Sequence, residues 1–171
     1  MAEEQWKRAG AHAVRKYVWH LLQEELGWDA ANYGGLTPIT TPEQQPEFNN
    51  FSSPYIVYSF SRMSTSNLYV VEGEVMALTV FSSSGTAIDE VVNLLGSKLN
   101  KRDDTAKDIN DFLSDTESPT SFYRNFDFKS FSVTGAQGPQ AVTTEGGRRD
   151  GYITISYTYT LYDPSGAAIH V

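Results

Sequence analysis

The stretch GYITISYTYTLYDP, residues 151–164, alternates without interruption from Tyr152 to Leu161. Successive side chains of an extended chain point to opposite sides. Tyr152, Thr154, Ser156, Thr158 and Thr160 therefore share one face, and Ile153, Ile155, Tyr157, Tyr159 and Leu161 share the other. This is a long strand with an apolar side, a hydroxyl-rich side and no group suited to catalysis. Any fold for the chain must be built around a sheet that holds it.

Other segments supply the rest of that sheet. SSPYIVYSF, residues 52–60, places Ile56, Tyr58 and Phe60 in alternation and enters its strand through Pro54. A turn at Met63–Asn67 leads into LYVVEGEVMALTVFSS. There Tyr69, Val71, Val75, Ala77 and Phe81 predict the core side, and Glu72 and Glu74 a solvent side. Gly73 between the glutamates predicts a bulge or a bend. Near Phe126 another strand begins; Phe128 keeps its phase, and Phe131 and Val133 resume after a slip at Ser130. The polar, glycine-rich segment 134–151 then reads as the long tip of an antiparallel hairpin.

Helical periodicity appears three times. Val14, Val18, Leu21, Leu22 and Leu26 form an apolar stripe over residues 9–26, stopped at Gly27. Ile88, Val91, Val92, Leu95 and Leu99 form a second over 87–99, with Thr86 as the predicted cap. Asp103 or Asp104 opens a shorter helix carrying Ile109, Phe112 and Leu113. Between the first helix and the first strand, residues 28–53 carry Pro38, Pro42 and Pro46, which block helix and disfavour a central strand. The aromatics Trp28, Tyr33, Phe48 and Phe51 in that loop predict that it packs on its own domain or on a neighbour. The expected fold is α+β: one domain over 1–171, an antiparallel sheet of about four strands with helices mainly on one face, and a C-terminal tail over 163–171.

Composition narrows the function. The 171 residues contain no cysteine, so disulfides and thiolate metal sites are excluded. A net charge of −8 argues against a general phosphate-binding surface, which needs clustered Lys and Arg. The opening MAEEQWKRAG reads as neither a signal peptide nor a membrane span. No P-loop, GxGxxG, HExxH or GxSxG motif occurs. His12 and His20 lie two turns apart without a third ligand at metal spacing. Glu72 and Glu74 could form an acid–base pair, but solvent-facing charges are the plainer reading. No catalytic residue, cofactor site or metal site is predicted. What the sequence does have in surplus is aromatic: ten Tyr, nine Phe and three Trp. Tyr is favoured both in cores and at interfaces, because its ring is apolar and its tip polar. Tyr157, Tyr159, Phe48 and Phe51 are accordingly candidate interface residues, and so are Arg148 and Arg149 at the hairpin tip.

The order of elements, with Pro54–Tyr58, Leu68–Phe81, Ile88–Leu99 and Tyr152–Leu161 as matching segments, resembles the tail terminator (tail-completion) proteins of tailed bacteriophages over most of residues 9–162. The resemblance implies a structural virion protein, assembled in the host cytoplasm, that forms a ring, usually a hexamer, on the end of the tail tube. Its implied partners are further copies of itself, the tail tube protein, a neck or connector protein and, in contractile tails, the sheath protein. DNA would pass through the lumen without specific binding, and the tip at Glu145–Asp150 would reach the lumen or the next ring, where Arg148 and Arg149 would meet carboxylates. No membrane and no catalytic residue is implied. The proline-rich 28–53 loop and the extra helix near 104–114 depart from the family and also suit a neck or head-completion connector. An α+β barrel that binds or transforms a small molecule in an aromatic pocket is the alternative of another class.

Overall fold

The computed structural model describes residues 9–63, 71–140, 147–163 and 165–169. Tyr69, Glu145, His170 and most of the predicted turn after Met63 lie outside them, as do the first eight residues. The described residues form α1 (Gly10–Leu26), β1 (Ile39–Thr40), β2 (Tyr55–Met63), β3 (Glu72–Ser82), α2 (Gly85–Lys98), α3 (Asp103–Thr116), β4 (Phe126–Gln137), β5 (Arg149–Tyr162) and β6 (Ala168–Ile169). Short 3-10 helices span Ala30–Tyr33, Pro42–Phe48 and Phe122–Asn125.

The fold is α+β, with a six-stranded mixed sheet rather than one of about four strands. Its order is β1-β2-β3-β5-β4, and β6 pairs with the end of β5. All pairings are antiparallel except β1 with β2. β5 sits at the centre, which answers why its two faces are so long: it pairs with β3 from Arg149 to Tyr159 and with β4 from Tyr152 to Leu161. The slip predicted at Ser130 is a β-bulge. Phe128 opposes Tyr159 and Ser130 opposes Thr158, so Lys129 is the extra residue. That single insertion keeps Phe126, Phe128 and Phe131 all in the core.

The helices cover one face of the sheet. Val14, Val18 and Leu22 of α1, Ile88, Val91 and Leu95 of α2, and Ile109 and Leu113 of α3 meet Ile56, Met76, Leu78, Ile153 and Ile155. Gly27 ends α1 in the left-handed conformation, φ 69°, and its N–H returns to Gln23 O. The N-cap of α2 is Ser84, not Thr86: its hydroxyl accepts from Ala87 N. Asp103 and Asp104 stand in the first turn of α3, with Arg102 at the cap position.

Two predictions about β3 are reversed. Met76, Leu78 and Val80 are buried under the helices, whereas Val75, Ala77 and Phe81 lie half-buried on the other face. Glu74 is on the core side and fully buried. The strand is apolar on both sides, so periodicity alone could not choose, and the glutamates decided wrongly. No bulge occurs at Gly73, whose register with Met63 and Thr158 is unbroken.

The proline-rich loop packs on its own chain. Pro42 opens a 3-10 helix, a position where its missing N–H costs nothing. Tyr33 and Phe48 from the loop bury against Tyr55 on the helix-free side of the sheet, with Phe51, Val57 and Phe81 around them.

Candidate functional site: the uncovered sheet face and what surrounds it

α1 begins at Ala9-Gly10-Ala11 with no side-chain cap and no acidic residue in its first turn, although a helix start presents several N–H groups that need acceptors. The acceptor comes from the sheet. Glu74 Oε2 takes the Gly10 N–H at 3.1 Å, and Oε1 takes the Ala11 N–H at 2.9 Å. Tyr157 donates its hydroxyl to Oε1 at 2.6 Å, and Tyr159 donates to Oε2 at 2.6 Å. A carboxylate offers about four lone-pair sites, and here four donors fill them. The positive end of the helix dipole further favours the charge. Gly10 permits this approach: a Cβ there would stand 2.7 Å from Tyr159 Cε1.

Tyr157 and Tyr159 were expected at an interface and are instead among the largest fully buried side chains. Their hydroxyl groups are needed inside the chain, as donors to Glu74. Burial first, and the neighbouring carboxylate second, push both phenols up from their ordinary value. The expected solvent exposure of Glu74 is likewise overturned. With its acceptor sites filled by these four donors, the buried carboxylate pins α1 to the sheet. The sequence carried one sign of it: a helix start without a cap, and a Glu in the register of Met76, Leu78 and Val80.

Of the remaining predicted interface residues, the structure brings Phe48, Phe51 and Arg148 together and leaves Arg149 apart. Phe48 is buried and Phe51 half-buried in the aromatic cluster. Arg148 lies over the Tyr55 ring at 5.0 Å, donates from Nη1 to Phe48 O at 3.4 Å, and donates from Nη2 to Phe51 O. It thus ties the base of the β4–β5 hairpin to the loop, using the guanidinium expected to meet carboxylates elsewhere. Arg149 is exposed, next to Gly85 at the start of α2. Arg148→Ala is expected to lower stability by about 1–2 kcal/mol, since hydrogen bonds from a charged donor and a cation–π contact are lost together. Urea unfolding measures the loss, and limited proteolysis should show earlier cleavage in 29–51.

Beyond the aromatic cluster, no helix among the described residues covers the second face of the sheet, most of whose side chains are half-buried or exposed. Its rows follow from the register: Ser61, Val75, Ser156 and Ser132 in one; Ser59, Ala77, Thr154 and Gly135 in the next; Met63, Gly73, Thr158 and Ser130 at one end. None carries a charge. Hydroxyl groups pair across strands, Ser132 with Ser156 at 3.0 Å and Ser130 with Thr158 at 3.4 Å, so much of the polarity is satisfied within the face. Tyr152, 37% exposed, stands between this surface and the aromatic cluster.

The outer edge of β4 is less open than the face. Asn110 of α3 accepts from Phe128 N at 2.8 Å and donates to Phe128 O at 3.0 Å, and Asn100 Oδ1 accepts from Val133 N at 2.9 Å. Side chains therefore occupy backbone groups that another strand would use. Among the described residues the face is therefore the less obstructed of the two.

His12 and His20 go to different neighbours. His12 is buried with Nδ1 3.1 Å from Tyr58 Oη, and His20 stacks on Phe112 at 4.8 Å. Among the described residues no group of three or more His, Cys, Asp or Glu is placed to hold a metal ion, and no helix is long and apolar enough to cross a membrane. Compared with known proteins, the sequence matches no family model and no curated protein.

Proposed function

We propose that this protein is a structural component of a tailed bacteriophage, a tail terminator that assembles as a homo-oligomeric ring on the tail tube and joins the tail to the neck. The observation that carries the reading is the uncovered sheet face. Three helices shield one side of the sheet, and among the described residues the middle rows of the other present uncharged Ser, Thr, Ala and Val side chains. A surface of small, internally paired side chains can meet another flat surface with little desolvation cost. The order of elements and the net charge of −8 support the same reading, since DNA must slide through such a ring without adhering.

The ring partners would be further copies of the chain, probed first by mass photometry and sedimentation. Wild-type protein is expected to form a discrete oligomer, alone or on tubes assembled from a phage tail tube protein. Thr154→Arg puts a guanidinium in the middle of the face. It should weaken association more than about a hundredfold, because an unpaired buried charge costs several kcal/mol. Thr154 is half-buried, so stability of the single chain should fall by no more than about 1 kcal/mol. A wild-type chain that stays monomeric at high concentration and on tubes, or a Thr154→Arg variant that assembles normally, refutes the proposal. Binding to a portal or connector ring in place of the tube would move the protein to the neck or head-completion position.

A further inference from the structure

On the helix-covered side, between α1, β1 and β2, lies a cavity of about 320 Å³. Its floor is polar and buried: His12 and Tyr58 are each 4% exposed and Thr40 is 3% exposed. Glu43 and Gln44 stand at its mouth, on the 3-10 helix that follows β1. Arg15 forms part of the wall.

Arg15 is the informative residue. Its Nε donates to Ile39 O at 2.7 Å, a bond that fixes the guanidinium plane against the edge strand. Among the described residues its two terminal nitrogens meet no hydrogen-bond acceptor, and no carboxylate lies within ion-pair distance. This happens in a chain with 21 Asp and Glu. A half-buried guanidinium held rigid by one nitrogen presents the rest of its fork for planar, two-point recognition of an oxyanion. The surrounding hydroxyl and amide groups suit a polar, uncharged body: Tyr58 Oη with His12 Nδ1 at 3.1 Å, and Thr40 Oγ1 with Gln44 Oε1 at 3.1 Å. Burial keeps the Tyr58 phenol protonated, raising it from its ordinary value, with the Arg15 charge pulling partly back. The volume lies at the small end of the range for ligand pockets.

We infer that this cavity binds a small molecule bearing one carboxylate or phosphate group, held by the Arg15 guanidinium, with its polar body against Tyr58 and Thr40. The inference is independent of the ring reading and requires no oligomer. Glu43 at the mouth opposes a second acidic group, which favours a ligand that carries only one.

The test uses the intact protein, labelled with nitrogen-15, titrated separately with lactate and with inorganic phosphate at constant ionic strength, with sodium chloride as control. Either oxyanion is expected to shift the Arg15 Nε–H signal and the Thr40 amide saturably, with a Kd on the order of 1 mM. A response to phosphate alone identifies a phosphate ester, and a response to lactate alone a carboxylate. Arg15→Gln should weaken binding at least about tenfold, and Glu43→Gln should tighten it about twofold by removing a repulsion. Arg15→Gln also removes the bond to Ile39, so Glu43→Gln carries the test if that variant unfolds. No saturable shift with either probe overturns the inference, as do unchanged affinities in the variants; Arg15 would then serve only to hold β1.

Discussion

Glu74→Ala is expected to destabilise the protein by about 3–5 kcal/mol, the range for removing one member of a buried charged network. That is a large part of the ~5–15 kcal/mol stability of an ordinary domain. The loss has an identifiable source. In the native chain the cost of burying the carboxylate is offset by four donors, two from the first turn of α1 and two from Tyr157 and Tyr159. Alanine removes the carboxylate that all four share, and each donor left orphaned costs about 1–3 kcal/mol before the structure relaxes. Glu74→Gln should also be destabilising, because its amide nitrogen would face donors where an oxygen now accepts. Adding Tyr157→Phe to Glu74→Ala should recover about 1 kcal/mol by removing one orphan. Urea unfolding of the three variants, with hydrogen exchange at the start of α1, gives the numbers. A loss below about 1 kcal/mol for Glu74→Ala would show that α1 docks through its apolar stripe alone.

Raising the pH should unfold the protein abruptly between about pH 10 and pH 12, a window set by the tyrosines. Burial pushes Tyr17 and Tyr33 up to about 12, and Tyr58, Tyr157 and Tyr159 are also raised. An unfolded tyrosine ionises near pH 10. Above that value the unfolded chain releases protons that the folded chain retains, so stability falls with pH; below about pH 9 both states hold them and the contribution is fully present. For Tyr157 and Tyr159 alone, two retained protons give a slope of about 2.7 kcal/mol per pH unit. Denaturant titrations across this range, with tyrosinate absorbance followed in parallel, should show ionisation and unfolding as one event. Stability that holds level through about pH 11, or ionisation of the buried phenols without unfolding, would contradict the buried donor roles. Tyr159→Phe should halve the pair's share of the slope.

The legible parts of the fold were those with one unambiguous periodicity. Val14, Val18 and Leu22 with Gly27 defined α1, the break between Phe128 and Phe131 marked the bulge, and Ile153 to Leu161 marked the core side of β5. β3 was misread because Val75–Ala77 and Met76–Leu78 are both apolar sets, and which one meets helices is decided by neighbours far away in sequence. β1 and β6, two residues each, have no periodicity to detect and exist only through pairing with β2 and β5. The site was legible in kind but not in address. Aromatic surplus was visible, yet Tyr157 and Tyr159 were assigned to an outer surface because the partner for their hydroxyls, Glu74, was itself taken for a solvent-facing charge. Arg148 was expected to meet carboxylates of the lumen or the next ring, whereas the bonds it makes within the chain go to carbonyls of its own loop.

The asparagines at the rim of β4 bear on how concentrated protein behaves. A bare strand edge is a template on which further chains can add end over end, the route to fibres and insoluble aggregates. With Phe128 and Val133 already bonded to Asn110 and Asn100, that route is interrupted at two points along the rim. Copies gathered at high local concentration would thereby be steered away from runaway filaments.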